Sequence, residues 1–196
     1  MWKQKLIDFA RKFNHPAWGF SHFTRVYEMS LELAKKQDIN VDQDAIFAAA
    51  YLHDMGAFEP YRQEKIDHAD SSVEGCEDVL KSIGFPDEKI LSVKDMIKTH
   101  MYYAEPSNKK ESIIFRDADI LDFLGIIGIT RILSIIGIDD WTPDSKSAIK
   151  LIKSFQKNLP EKLSTDLAKE IGKTRKIEMM GFLNKLSEES NNFNLL

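Results

Sequence analysis

Side chains of the types that bind metal ions occur within apolar helical stretches of the first 122 residues. His53 and Asp54 are adjacent at the end of the alanine-rich run DAIFAAAYLHDMG. Neighbouring residues on a helix point about 100° apart, so both can reach one ion only near a helix end. Gly56 predicts a left-handed cap there, and the unpaired carbonyls of a last turn favour a cation. This position suits a metal ion, but an isolated His-Asp pair is more often a capping imidazole beside a solvated turn aspartate, and the pair alone does not establish a metal site.

Three aspartates, Asp117, Asp119 and Asp122, interrupt the strongly apolar segment IIFRDADILDFLGIIGITR. Burying an unpaired carboxylate is costly, so such residues need cations, strong hydrogen-bond donors or a metal. Asp117 and Asp119 are two positions apart and point to opposite sides of a helix. One ion is therefore expected to bind only one of them, and Arg116 and Arg131 are candidate partners for Asp117.

His22 lies at the start of the segment SHFTRVYEMSLELAKK, where apolar residues recur at three- and four-residue spacing. That spacing marks the side of a helix that faces a core. A histidine on this side is either a packing residue or a ligand, and the segment alone does not distinguish the two.

Helices are the elements predicted to position these residues, because helical spacing dominates and sustained alternation of apolar and polar residues is absent. The predicted fold is all-α. The predicted helices span about residues 2–13, 21–36, 42–55, 69–83, 87–99, 110–123, 125–137, 144–157, 160–171 and 173–188. We expect one domain over residues 1–196, with a metal-binding core at about 15–137 and a C-terminal helical extension at about 144–190.

Composition narrows the class of protein. Apolar residues make up 43% and charged residues 30%, as in a soluble globular protein. The 27 Lys and Arg against 31 Asp and Glu give a formal charge of -4, so no nucleic-acid partner is expected. A single cysteine, Cys76, predicts a reducing, cytoplasmic setting and excludes thiolate-rich metal sites within one chain. Polar residues break the longest apolar run, so neither a membrane span nor a membrane partner is expected.

The order of these residues resembles the HD domain superfamily of metal-dependent phosphohydrolases. HFTRVYEMSLELA is similar to the first-histidine helix of a bacterial branch of HD hydrolases, HDMG to its His-Asp pair, and DADILDFLGIIGITR to its aspartate helix. The resemblance spans about residues 15–137 and implies an HD-domain-like helical bundle with additional N- and C-terminal helices. The metal ligands that it implies are His22, His53, Asp54 and Asp119. Asp119 is preferred to Asp117 because the family's aspartate follows an alanine and precedes a leucine two residues later.

Two further histidines match the superfamily, His68 in DHADSSVEGCEDVL and His100 in IKTHMYY. In relatives with two metals, the corresponding histidines bind the second ion. Beside a single metal they would bind substrate or donate a proton. The structural alternative is that His68 caps a helix and His100 lies in an exposed loop.

The sequence departs from the superfamily after the glycine of HDMG. Many HD proteins have a lysine at this position, and some nucleotidases have a catalytic glutamate there, whereas this chain has Ala57 and its Glu59 is displaced. Any phosphate contact must therefore come from another residue, and a deoxynucleotide monophosphatase mechanism of that type is not supported.

The resemblance implies a metal-dependent phosphohydrolase acting on a small phosphate ester such as a nucleotide or phosphorylated metabolite. Two imidazoles and two carboxylates favour Mn²⁺, Mg²⁺, Fe²⁺ or Ni²⁺ over a closed zinc site, and manganese is the first to test. Asp54 would also hold the attacking water, and His68 or His100 would protonate the leaving group. The candidate phosphate contacts are Arg25, Lys98, Arg116 and Arg131.

Two other functions fit the same residues. The six-residue pattern of histidines and aspartates supports two irons in some HD-superfamily oxygenases. A non-catalytic helical module that binds a nucleotide or a partner is the other alternative. The sequence leaves the oligomeric state open, including a homo-oligomer.

Overall fold

The protein is described by a computed structural model that covers all 196 residues. It contains nine α-helices and no strand, so the predicted all-α class is confirmed. The helices are α1 (Trp2–Ala10), α2 (Phe20–Lys36), α3 (Gln43–Leu52), α4 (His68–Ile83), α5 (Ile90–Thr99), α6 (Lys110–Asp122), α7 (Gly125–Leu133), α8 (Ser145–Asn158) and α9 (Asp166–Glu189). None of them has the length and apolar character needed to cross a bilayer.

The chain divides into two compact units. The N-terminal unit comprises Met1–Asp119 and the C-terminal unit Ile120–Leu196. The division falls inside α6, three residues before that helix ends. The expectation of a single domain over the whole chain stays a prediction.

Helix α3 is the central element of the N-terminal unit. All residues from Ala45 to Leu52 are buried, and α3 packs against α1, α2, α4 and α5. The helix begins at Asp42, whose carboxylate accepts hydrogen bonds from the backbone N–H groups of Asp44 and Ala45. Four of its ten residues are alanine, which suits close packing of the neighbouring helices. The last turn of α3 therefore ends inside the unit, surrounded by other helices.

The C-terminal unit is built from α7, α8 and α9, each of which packs against the other two. One difference from the predicted elements lies here, because the helices predicted at 160–171 and 173–188 are replaced by a single helix, α9, that runs through Gly172. A Cβ at Gly172 would clash with Leu163 Cδ1. The glycine therefore permits close packing of a continuous helix and does not interrupt it.

Candidate metal site

His53 follows the last residue of α3, and its ring is fully buried. Its Nδ1 donates a hydrogen bond to the carbonyl oxygen of Ala50 at 2.9 Å. A carbonyl can only accept, so Nδ1 carries the proton and Nε2 faces the interior with its lone pair. The imidazole therefore caps the helix with one nitrogen and offers the other as a ligand. Asp54 is also buried, with 7% of its surface exposed, and is not the solvated turn residue of the alternative.

His22 on α2 and Asp119 on α6 complete the first half of the site. The Nε2 atoms of His22 and His53 lie 3.0 Å apart. His22 Nε2 lies 3.3 Å from Asp119 Oδ1 and 3.5 Å from Asp54 Oδ2, and His53 Nε2 lies 3.3 Å from the same Asp54 oxygen. Two facing imidazole nitrogens beside carboxylate oxygens form an arrangement that a shared cation stabilises. His22, His53 and Asp119 are close enough together to bind one ion.

The other oxygen of Asp54 faces a second pair of histidines. Asp54 Oδ1 lies 3.4 Å from His68 Nε2 and 3.5 Å from His100 Nε2. His100 is fully buried, and its Nδ1 donates to the carbonyl oxygen of Ile97 at 2.6 Å. Its Nε2 is therefore directed into the site, where it has no hydrogen-bond partner. Asp54 thus presents one oxygen to each histidine pair, and His53, Asp54 and His100 form a second group that could hold an ion.

Gly56 brings helix α4, and with it His68, against the turn that follows Asp54. The predicted left-handed cap is wrong, because Gly56 lies in the 3₁₀ turn Met55–Ala57 and is not among the residues with positive φ. Its N–H donates to Ser72 Oγ at 2.8 Å. A Cβ at this position would clash with the His68 carbonyl oxygen and lie 2.7 Å from Ser71 Cβ. Glycine is therefore required by the close approach of the two segments.

The charges of the cluster are balanced by imidazoles alone. Burial opposes ionisation of Asp54, but the nearby histidines, His53 foremost, hold its pKa well below the usual value. Burial likewise opposes ionisation of Asp119, whose pKa is lowered mainly by His22. The pKa of His53 is lowered by burial against the pull of Asp54, whereas Asp54 raises that of His68 despite burial. Neither aspartate makes an ion pair with a lysine or an arginine.

The donor set fits a divalent metal ion. The ligand atoms would be imidazole nitrogens and carboxylate oxygens, which suit hard and borderline divalent ions. Burying two carboxylates without a permanent cation is costly, and an ion at the centre would supply the missing positive charge. The five fully or largely buried candidates are His22, His53, Asp54, His100 and Asp119. His68 adds a partly exposed imidazole at the edge of the cluster.

The two aspartates between which the sequence left a choice differ in position. Asp119 faces the histidines, whereas Asp117, fully buried on the same helix, is in neither group of candidate ligands. Their separation by two residues on a helix explains the difference, since it directs them to different sides.

The candidate phosphate contacts lie in different environments. Arg25 is half-buried on α2, one turn after His22. Lys98 is exposed and pairs with Asp70 at the surface. In the C-terminal unit, the buried Arg131 donates to Asp122 at 2.8 Å.

Arg116 is the fourth candidate, and it is buried on α6 one turn before Asp119. Its Nη2 donates to the carbonyl oxygen of Tyr102 at 3.0 Å, two residues after His100. Its Nε has no hydrogen-bond partner. Burial lowers the pKa of the guanidinium against the effect of nearby carboxylates, with Asp117 foremost.

The sequence did not indicate the contact between Tyr103 and Asp67. Tyr103 follows His100 by three residues, and its hydroxyl donates to the carboxylate of Asp67, the residue before His68. Asp67 also caps α4 by accepting from the N–H of Ala69. An aspartate before a helix is a readable cap signal, but the tyrosine contact joins positions far apart in sequence.

Residues 19–124 match the family model described as the HD domain, which is more than half of the chain. The chain therefore belongs to the HD domain family, as the resemblance of its motifs implied. HD domains bind divalent metals, and the cluster around Asp54 lies within the matched region. No curated protein sequence matches the chain.

Several solved structures share the fold over nearly the whole chain. Bacillus subtilis YpgQ in complex with ADP has a TM-score of 0.70 and 20% identity, covering 95% of this chain and 97% of its own. An HD-superfamily hydrolase from Bacillus thuringiensis has a TM-score of 0.65 and 24% identity, with 96% of each chain covered. A predicted HD superfamily hydrolase from an uncultured Thermotogales bacterium has a TM-score of 0.64 and 24% identity, covering 95% and 90% respectively. At these identities the likeness concerns the fold.

Proposed function

We propose that this protein is a metal-dependent phosphohydrolase that acts on a small phosphate ester such as a nucleotide or a phosphorylated metabolite. The observation that carries the proposal is the buried cluster in which Asp54 presents one oxygen to His22 and His53 and the other to His68 and His100. Membership in the HD domain family supports it. A divalent ion, when bound, would polarise a phosphoryl oxygen and lower the pKa of a bound water.

The chain's own residues divide the remaining work. His22, His53, Asp54 and Asp119 would hold the ion, and a carboxylate oxygen of Asp54 would accept a hydrogen bond from the attacking water and orient it. His68 is the site histidine that reaches solvent, with 23% of its side chain exposed, and the raised pKa caused by Asp54 favours its protonated form. It would therefore donate the proton to the leaving oxygen. The buried His100 would orient Asp54 or bind a second ion.

Arg116 is the best supported phosphate contact among the four candidates. It makes no ion pair with a carboxylate, and its buried Nε lacks a hydrogen-bond partner. A guanidinium stays protonated in proteins and donates in a planar fork that matches phosphate oxygens. A substrate phosphate beside Asp119 would provide the anion that this buried charge lacks.

Nucleoside phosphates are the first substrates to test. YpgQ, which shares the fold, was solved with ADP. That likeness supports a nucleotide without selecting the bond that is cleaved. Sugar phosphates and other small esters belong in the same screen.

Purified protein should be stripped of metal, reloaded separately with Mn²⁺, Mg²⁺, Fe²⁺ or Ni²⁺, and assayed for phosphate release from a panel of phosphate esters. We expect turnover with at least one metal, Mn²⁺ being the first choice, and its loss in His53→Ala. His15→Ala is the matched control, because His15 is the one histidine outside the cluster. Tight metal binding without hydrolysis of any ester would refute the proposal, and full activity in His53→Ala would refute the ligand assignment.

The position of Asp54 between two histidine pairs also favours a second candidate, a di-iron oxygenase of the HD superfamily. Iron near two per chain and a product that forms only with oxygen would select it over hydrolysis. A purely binding role for the site predicts ligand-dependent stabilisation without turnover. Metal-dependent turnover would exclude that role as the whole account.

A further inference from the structure

His68 and His100 both face Asp54 Oδ1, and a residue close to one of them in the sequence contacts a residue close to the other. His68 is the first residue of α4, and Asp67 precedes it; His100 comes directly after α5, and Tyr103 lies three residues further on. Tyr103 donates its hydroxyl hydrogen to Asp67 Oδ2 at 2.6 Å. The contact joins positions 36 residues apart in the sequence. We call this hydrogen bond the clasp.

The clasp links the two chain segments that carry these imidazoles, and the imidazoles themselves lie close together. Their ring centroids are 5.5 Å apart, and each Nε2 lies within 3.5 Å of Asp54 Oδ1. Asp67 uses its other oxygen, Oδ1, to accept the N–H of Ala69 at 2.8 Å, which fixes the carboxylate at the start of α4. The position of Tyr103 is thereby tied to the first turn of the helix that carries His68.

The segment that carries Tyr103 is held on its other side as well. Arg116 binds the carbonyl oxygen of Tyr102, and the N–H of Ala104 donates to the carbonyl oxygen of Met101 at 3.0 Å. Because the segment is fixed to α6, the clasp also holds Asp67, and with it His68, in a defined position. The ring nitrogens of His68 lie 3.4 Å from Asp54 Oδ1 and 3.7 Å from Asp67 Oδ1, both longer than a strong hydrogen bond.

The clasp contributes little to the stability of the fold. Tyr103 is 53% exposed, and the side chain of Asp67 is 37% exposed. A hydrogen bond in such a position adds little to stability because water competes for both groups. An ionised carboxylate is nevertheless a strong acceptor, so the bond can fix geometry at low cost. Its location points to a role in the site.

We propose that the clasp between Tyr103 and Asp67 positions His68 relative to Asp54 and His100, and that Tyr103 and Asp67 are positioning residues for the reaction. Its kinetic consequence rests on the proposed function, whereas its effect on His68 does not. Loss of the clasp lets the start of α4 and its imidazole adopt other positions. Proton transfer by His68 slows, while the ligands His22, His53 and Asp119 keep their places.

Tyr103→Phe removes only the hydroxyl group and is the decisive variant. We expect kcat to fall roughly tenfold, the lower end of the range for residues that orient an active group. KM and the Mn²⁺ affinity measured by calorimetry should not change. In a His68→Gln background, Tyr103→Phe should cause no further loss, because the group that it positions is gone. Tyr61→Phe is the matched control, since Tyr61 lies outside the cluster, where its ring contacts Phe9 and Phe13.

Proton NMR of the five imidazoles provides a readout that needs no turnover. The His68 resonance, assigned by its loss in His68→Gln, should shift or broaden in Tyr103→Phe, while that of His15 stays in place. An unmoved His68 resonance overturns the clasp, and so does a rise in KM with kcat unchanged, which would place Tyr103 against the substrate. A shifted resonance in a protein that hydrolyses no ester supports the clasp and refutes the proposed function.

Discussion

Helix α6 carries three buried aspartates, of which Asp119 and Asp122 lie three residues apart and belong to different units of the molecule. In the C-terminal unit, Asp122 accepts a hydrogen bond from Arg131 Nη1 at 2.8 Å, and that guanidinium also lies 3.9 Å from the centroid of the Phe123 ring. In the N-terminal unit, Asp119 Oδ1 lies 3.3 Å from His22 Nε2 and 4.0 Å from His53 Nε2. The first carboxylate has a permanent cation beside it, and the second has only imidazoles.

The difference separates a structural charge from a functional one. The negative charge of an aspartate paired with arginine is neutralised in the folded protein, because guanidinium does not lose its proton at accessible pH. The charge of an aspartate among imidazoles is neutralised only when a proton or a metal ion supplies the positive charge. Burial of a carboxylate is common to both regions, so the type of its partner is the informative feature.

The largest expected effect concerns the pair of Asp122 with Arg131. Arg131→Met should remove the guanidinium that donates to the buried Asp122 and lower the free energy of unfolding by about 3–5 kcal/mol. Urea unfolding followed by circular dichroism measures the change. A loss below about 1 kcal/mol would show that the pair contributes no more than a surface ion pair.

The double variant Asp122→Leu/Arg131→Met is the control for that experiment. It removes both charges and keeps apolar volume, so its stability should return close to that of the wild type. If the double variant is as unstable as Arg131→Met alone, the loss comes from packing of the arginine against Phe123 and not from the stranded carboxylate.

The cluster around Asp54 and Asp119, which lacks a permanent cation, should instead gain stability from a bound metal ion. Mn²⁺ at 100 times its dissociation constant should raise the free energy of unfolding by about 2.7 kcal/mol, because the ion binds only the folded cluster. Thermal unfolding with and without Mn²⁺ measures this increment. His53→Ala should lose it, and Asp122→Leu/Arg131→Met should keep it. An increment that survives in His53→Ala would place the bound metal outside the cluster.

Much of the fold and part of the site could be predicted from local patterns. Apolar residues at helical spacing predicted α2, α4 and α6 to within one residue at each end. The His53-Asp54 pair was visible because the alanine-rich helix ends there. Asp119 was preferred to Asp117 through the resemblance, since spacing alone shows that they diverge but not which one faces the histidines.

The parts that were not predicted depend on packing between distant segments. Gly56 resembled a cap in the sequence, but its actual role depends on α4 returning against the turn. Gly172 resembled a helix break, but it allows close contact with Leu163. The Tyr103–Asp67 hydrogen bond joins two loops whose sequences carry no shared pattern. Each of these residues is equally consistent with a purely local role, so the contact is decided only when the distant segments pack together.

Gly56→Ala and Gly181→Ala compare the same added methyl group in the two units. At Gly56 the Cβ would clash with the backbone of His68, so we expect a loss of about 1–3 kcal/mol in the free energy of unfolding. Gly181 lies within α9 with no atom within 4 Å of an added Cβ, so its replacement should stabilise by up to about 1 kcal/mol. Denaturant unfolding measures both changes.

The activity of the remaining folded Gly56→Ala protein sharpens the test. Because the clash displaces the start of α4, phosphate release per folded molecule should fall together with stability, whereas Gly181→Ala should retain full activity. Wild-type activity in folded Gly56→Ala would mean that His68 can move without consequence, contrary to its assigned role.

The smallest expected effect belongs to an exposed carboxylate that has permanent cations, Glu77 with Lys81 and Lys94. Hydrogen bonds from the two lysines lower its pKa from 4.5 to about 2. Since the folded pKa lies below the unfolded one, the contribution of Glu77 to stability is present above pH 4.5 and is lost as the pH falls towards 2. The difference in melting temperature between wild type and Glu77→Gln should therefore be small and positive at neutral pH and vanish in acid. Salt at about 1 M should also remove it, since exposed charges are screened within roughly 3 Å. A difference that persists in acid and in salt would indicate that Glu77 stabilises the protein by something other than its charge. Its exposure would then not explain why its effect is smaller than the effects of Asp119 and Asp122.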